Sequence, residues 1–131
     1  MRYLLDTGVW IWSVSAGGRL NRKSRQLIEN EEHELYFSAA SVWEICIKTQ
    51  IGKLSLPESP VVFVPERLSI QRIQNLSITT THATGVYSLP RHHDDPFDRI
   101  LIAQARAENL TVLTADKTFR KYDVEIMWCG R

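Results

Sequence analysis

Three carboxylates fall within five residues in Asp94-Asp95-Pro96-Phe97-Asp98, and an apolar helical pattern follows at once. Asp95 suits an N-cap, Pro96 the first helical position and Asp98 the first turn of a helix running from Pro96 to Asn109. Ile100, Ala103 and Ala107, with Leu101 and Ala105 beside them, would supply its buried stripe. A cap and a helix dipole use one acid at that end, not three. Other acids stand where chemistry would want them. Asp6 closes the first apolar run, and Asp116 lies beyond the run Thr111–Leu113 with two residues between. Glu44 sits among Val42, Trp43, Ile45, Cys46 and Ile47, a segment apolar nearly all round that should be buried. A buried carboxylate needs a cation, a metal or several donors.

Four acids converging on one crevice, namely Asp6, Glu44, Asp98 and Asp116, would repel unless divalent cations neutralised them. Hard oxygen donors with no Cys or His cluster select Mg²⁺ or Mn²⁺ over Zn²⁺. Such ions lower the pKa of a bound water and clamp a phosphodiester for in-line attack. Thr7 and Thr114 are placed to orient carboxylates or water through their hydroxyls. These residues permit a metal-dependent nuclease, but their spacing alone does not select one. Each acid also has a plain structural role open to it. Asp6, Asp95 and Asp116 can each cap the helix that follows, and Glu44 has Lys48 four residues on, the favoured order for an exposed ion pair.

Positioning these groups falls to alternating short strands and helices. Strands are expected at Arg2–Leu5, Leu35–Phe37, Leu76–Ile78, Thr111–Leu113 and Glu125–Trp128. Helices are expected over Thr7–Val14, from an Asn21 cap to Asn30, from a Ser38 or Ser41 cap to Ile51, over Val61–Ile73 despite Pro65, over Thr80–Ser88, over Pro96–Asn109, and as a short turn ending at Arg120. Alternation of this kind implies an open, largely parallel α/β sheet, in which ligands bind beyond the carboxyl ends of strands where strand order reverses. If the first and fourth strands are neighbours, Asp6 and Asp116 face one crevice, and Asp98 and Glu44 are within reach of it.

The chain has 131 residues, 44% hydrophobic and 24% charged, which is most simply one globular domain over residues 1–131. Sixteen Lys and Arg against fifteen Asp and Glu leave no global polyanion-binding charge, so any nucleic-acid contact must be local. Arg19, Arg22, Lys23 and Arg25 form the densest basic run, read as a solvated helix face ahead of RNA contact because Glu29, Glu31, Glu32 and Glu34 follow. Cys46 and Cys129 lack metal-ligand spacing and read as a reduced pair. No apolar run approaches membrane-spanning length and no signal-peptide core is present, so a cytoplasmic protein is expected. Arg99 is read as an ion-pair partner of Asp98 ahead of a phosphate contact. His92 and His93 are read as an exposed loop pair, and Trp10, Trp12 and Trp43 as core or dimer-interface residues.

Four segments together carry a resemblance. Leu4-Leu5-Asp6-Thr7, Ala40–Lys48 with Gly52-Lys53-Leu54, Asp95–Ala105, and Leu113-Thr114-Ala115-Asp116 resemble, in order and spacing, the successive motifs of PIN-domain proteins. Among these the match is to the VapC toxin family of type II toxin–antitoxin systems, and it runs from Tyr3 to Asp123. The resemblance implies a Rossmann-like domain with a mostly parallel five-stranded sheet flanked by helices. It implies Mg²⁺- or Mn²⁺-dependent endoribonuclease activity on an RNA substrate, leaving a 3′-hydroxyl and a 5′-phosphate. It also implies a homodimer neutralised by a VapB-type antitoxin. By position, Asp6, Glu44, Asp98 and Asp116 match the family's acidic metal-binding set, Thr114 its hydroxyl beside the last acid, and Asp95 its Asp-Pro-Phe-Asp signature. Ser55 to Ser88 carries little recognisable motif.

Overall fold

A computed structural model describes all residues, Met1 to Arg131. Five parallel strands form one sheet: β1 (Arg2–Leu5), β2 (Glu34–Ser38), β3 (Ile73–Leu76), β4 (Thr111–Thr114) and β5 (Ile126–Trp128), in the order β3-β2-β1-β4-β5. Six helices connect them: α1 (Thr7–Ser13), α2 (Arg22–Glu29), α3 (Ala39–Gln50), α4 (Pro60–Gln71), α5 (Thr80–Gly85) and α6 (Pro96–Glu108). A 3₁₀ turn over Val86–Ser88 extends α5, and another over Lys117–Lys121 links β4 to β5.

The central strands are buried on both faces, as a parallel sheet covered by helices requires. Successive residues point to opposite sides. Leu5 and Leu113 join Trp10, Phe37, Ile45 and Phe63 on one face. Leu4 and Val112 join Leu101, Ile102, Ala105 and Phe119 on the other. The strand order reverses between β1 and β4, where the register pairs Leu4 with Val112 and Leu5 with Leu113. Continuing one residue, the Asp6 amide donates to the Leu113 carbonyl at 3.0 Å, which sets Asp6 beside Thr114.

Local chemistry explains most element boundaries. Asp6, Asn21, Ser38, Ser59, Thr79 and Asp95 each accept a backbone N–H from the first turn of the helix they precede. Gly52, at φ +79°, closes the turn after α3, and Asn109, at φ 55°, ends α6 in the left-handed region. Pro65 is tolerated within α4, where the carbonyl it leaves unpaired belongs to Val61, a residue 79% exposed.

Two expectations need correction. The third strand lies at Ile73–Leu76, not Leu76–Ile78. Arg72 turns left-handed at φ 58° and ends α4 early, so pairing with β2 begins at Ile73 opposite Leu35 and is complete at Leu76. As an edge strand, β3 carries polar Gln74 and Asn75, which hides its period. In α6 the buried residues are Arg99, Leu101, Ile102, Ala103, Gln104 and Ala105, while Ala107 is exposed and Ile100 only half-buried. The helix is covered on two sides, by the sheet and by α5, where Gly85 sits against Ala103, so one stripe does not describe it.

Candidate active site

The carboxyl ends of β1 and β4 open into a cavity of about 660 Å³. Asp6, Glu44, Asp98 and Asp116 all line it, with Thr7, Lys48 and Asp95. The four acids that the sequence singled out therefore share one space, each delivered by a different segment.

Asp6 follows β1 and is 7% exposed. One oxygen accepts the Val9 N–H at 2.7 Å, capping α1, and the other accepts the Thr114 hydroxyl. Thr114 in turn accepts the Asp116 amide N–H at 3.0 Å, so one hydroxyl ties the two strand-end acids together. Asp116 accepts the Thr118 N–H at 2.9 Å and caps the 3₁₀ turn. Glu44, also 7% exposed, projects from α3. Its carboxylate accepts the Thr7 hydroxyl at 2.7 Å on one oxygen and the Lys48 ammonium at 2.7 Å on the other. The ion pair expected of Glu44 and the burial expected of it both hold. Asp95 accepts the Phe97 and Asp98 N–H groups at 2.9 and 3.3 Å, which is the cap role read for it, and it also reaches the cavity rim.

Asp98 stands in the first turn of α6 with its side chain 20% exposed. Burial, then the charges of Asp95, Asp116, Asp6 and Glu44, push its carboxyl up to about 8. Burial also pushes the Asp6 carboxyl up to about 6, opposed by the hydrogen bonds from Thr114 and Val9 and reinforced by Asp116 and Glu44. The hydrogen bond to Glu44 is the main cause that raises the Lys48 ammonium, and Asp95 and Asp98 add to it. The acids are thus electrostatically coupled through the cavity and short of positive charge.

The donor set fits a hard divalent cation by its chemistry, being all carboxylate oxygen with hydroxyls behind it. No three of its acids and histidines stand close enough together to enclose an ion as they are placed.

Arg99 is a correction. It makes no ion pair with Asp98 and does not line the cavity. Arg99 is 7% exposed, and its guanidinium donates to the carbonyls of Pro90, Val86 and Leu89 and to the Tyr122 hydroxyl. It clamps the loop before α6 from the far side. His93 is a second correction, since it is not an exposed loop residue. Its side chain is 20% exposed and its Nε2 lies 3.2 Å from Asp98 Oδ2. Lys117 and the indoles of Trp12 and Trp128 complete the cavity wall, whereas Trp10 is fully buried core and Trp43 is 62% exposed. Nothing local in the sequence marks Lys117 or Trp128 as site residues. Their signal is positional, one residue after Asp116 and at the carboxyl end of the strand beside β4.

The model of the PIN domain matches residues 3–125. The chain belongs to the PIN-domain family. The acidic basin of this PIN domain sits at the switch point between β1 and β4. A curated relative, Ribonuclease VapC16 of Mycobacterium tuberculosis, is 33% identical over 60 residues, which is 46% of this chain and 43% of that protein. The matched region is thus less than half the length of that relative. The fold is shared with VapBC2 from Rickettsia felis, solved bound to a DNA fragment from their promoter, at TM-score 0.76 and 15% identity over 99% of this chain and 100% of that one. It is shared also with DNA-bound VapBC from Salmonella typhimurium, at TM-score 0.73 and 18% identity over 97% of each chain. No helix of this PIN domain is long and apolar enough to cross a membrane.

Proposed function

We propose that this chain is a VapC-type toxin, an endoribonuclease that hydrolyses RNA phosphodiester bonds with Mg²⁺ or Mn²⁺. The observation that carries the reading is geometric: Asp6, Glu44, Asp98 and Asp116 line a single cavity at the sheet's switch point, with Asp95 at its rim. Such an arrangement is costly for a folded chain unless cations or substrate positions make use of it. Similarity to a protein named as a ribonuclease supports RNA as the substrate.

In this reading Asp6, Glu44, Asp98 and Asp116 hold the ion or ions. Bound there, Mg²⁺ or Mn²⁺ supplies acidity to water and positive charge against the phosphodiester. Thr114 fixes the Asp6 carboxylate and the Asp116 backbone at once, and Thr7 fixes Glu44, so little rearrangement of those groups accompanies reaction. Asp95 holds the start of α6, and with it Asp98, at the rim. Lys48 and Lys117 line the same cavity and provide cationic contacts for flanking phosphates. The products are a 3′-hydroxyl and a 5′-phosphate. A VapB-type antitoxin neutralises the toxin, which acts as a homodimer in the cytoplasm.

Purified protein incubated with total cellular RNA tests the proposal, run with Mg²⁺, with Mn²⁺ and with EDTA beside Asp6→Asn. Cutting at a few sites, lost in EDTA and in the variant, is the expected result. Cleavage that persists in EDTA, or that Asp6→Asn leaves intact, overturns the assignment of the acids.

A further inference from the structure

Behind Asp98 runs a chain of side chains that neither the cavity nor the caps explain. Arg99 Nη1 donates to the Tyr122 hydroxyl at 3.0 Å. That hydroxyl lies 2.7 Å from His93 Nδ1, and His93 Nε2 lies 3.2 Å from Asp98 Oδ2. Tyr122 is buried, and its ring has His92 and His93 edge-on at 4.8 and 5.5 Å. The four groups come from three segments: the loop before α6, the start of α6, and the residue that ends the 3₁₀ turn after β4.

The polarity of this chain is determined. A guanidinium can only donate, so the Tyr122 oxygen accepts from Arg99. The hydroxyl's own proton then needs an acceptor, because an unpaired buried donor is costly. His93 Nδ1 is the remaining partner, so Nδ1 accepts and the ring proton of neutral His93 sits on Nε2. Nε2–H then donates to Asp98 Oδ2. Run the other way, the buried Tyr122 proton would have no acceptor.

We infer that Arg99, Tyr122 and His93 form a relay of fixed direction that holds Asp98 by its Oδ2 in the wall of the acidic cavity, making His93 and Tyr122 positioning residues for the site. The inference rests on the reading of Asp98 as a cation ligand. It gives Asp98 the support that Thr114 gives Asp6 and Thr7 gives Glu44. A histidine that orients a carboxylate in this way is the reverse of the usual arrangement at a metal, where the carboxylate orients the histidine.

Two measurements on the full chain test it. Long-range ¹H–¹⁵N NMR of histidine-labelled, metal-free protein above neutral pH reads the ring directly. The Nε2–H form is expected for His93, with conversion to a mixture in Tyr122→Phe. An Nδ1–H ring or a doubly protonated ring in the wild type overturns the relay. Mn²⁺ titration followed by electron paramagnetic resonance is the second measurement. Tyr122→Phe and His93→Ala are expected to weaken Mn²⁺ by about tenfold. His93→Gln, which retains an amide donor toward Asp98, should recover most of the affinity lost in His93→Ala. Wild-type Mn²⁺ affinity in both Tyr122→Phe and His93→Ala overturns the inference. Should wild-type protein bind no Mn²⁺, the metal-dependent reading falls, while the ring protonation still decides the relay.

Discussion

The two sides of the acidic cavity are built differently. On the strand side, Asp6 directly follows β1 and Asp116 lies two residues past the end of β4, and the sheet register brings Thr114 between them. Backbone pairing fixes that geometry, and hydrogen bonds hold back the rise in the Asp6 carboxyl, which reaches about 6. On the helix side, Asp98 has no backbone N–H donor, and its one protein partner is a histidine from the preceding loop. Its carboxyl rises further, to about 8. Burial raises both carboxyls; the donors Thr114 and Val9 oppose the rise at Asp6, whereas at Asp98 the charges of Asp95, Asp116, Asp6 and Glu44 add to it.

The largest effect expected from this contrast is on activity. Asp6→Asn keeps the cap on α1, because Asn caps as well as Asp, but removes a charge from the rigid side. RNA cleavage should fall by about 100-fold or more with the far-ultraviolet circular dichroism spectrum unchanged. Asp98→Asn should lose activity to a similar extent, and it should also change how stability depends on pH. Its folded-state value of about 8 lies above the ordinary 3.8, so protonation of Asp98 favours the folded chain. That stability is whole below about pH 4 and is lost as pH rises through about 8. Thermal melts of the metal-free wild type should therefore decline in midpoint across this window, with Asp98→Asn flattening the decline and melting above wild type at its upper end. Mn²⁺ should raise the wild-type midpoint more at the upper end of the window than at the lower.

Thr114→Val sharpens the comparison from the strand side. It removes the donor that opposes the Asp6 shift and the acceptor of the Asp116 amide. Stability should drop by about 1–3 kcal/mol in chemical denaturation, and activity by about 10- to 100-fold. The smallest effect belongs to Asp95→Asn. The cap on α6 is retained, stability stays within a few tenths of a kcal/mol, and the loss of the foremost neighbouring charge lowers the Asp98 carboxyl, read by ¹³C NMR titration.

The strand side was legible in the sequence and much of the helix side was not, for a physical reason. Asp6, Thr7, Thr114 and Asp116 sit at fixed offsets from short apolar runs, so the parallel-sheet rule delivers them to one edge. Glu44 was legible because its segment is apolar nearly all round. The caps at Asp95 and Asp116 were readable from their immediate successors. Arg99 and His93 were not, because their partners lie far along the chain or in a loop with no period. Arg99 is held by carbonyls at Val86, Leu89 and Pro90, and Tyr122 meets both residues from across the sheet's carboxyl edge. Adjacency of Asp98 and Arg99 suggested an ion pair, yet neighbours in a helix point some 100° apart. The displaced third strand has the same origin, since only pairing with β2 distinguishes Ile73–Leu76 from the alternation that continues to Ile78.

The bond between Asp6 and Thr114 joins residues 108 positions apart in the chain. During synthesis, everything up to α6 emerges before the strand that completes the basin. The partner of β1 on one edge, β2, has emerged by Ser38, while its other edge waits for Thr111–Thr114. Non-local parallel pairing of this kind is slow to form. A ribosome-bound or prematurely terminated chain ending before β4 therefore carries Asp6, Glu44 and Asp98 without the partner that locks Asp6. Such a fragment has these three acids but not the geometry that Thr114 gives Asp6 in the folded domain, so the basin is assembled only once β4 has joined the sheet.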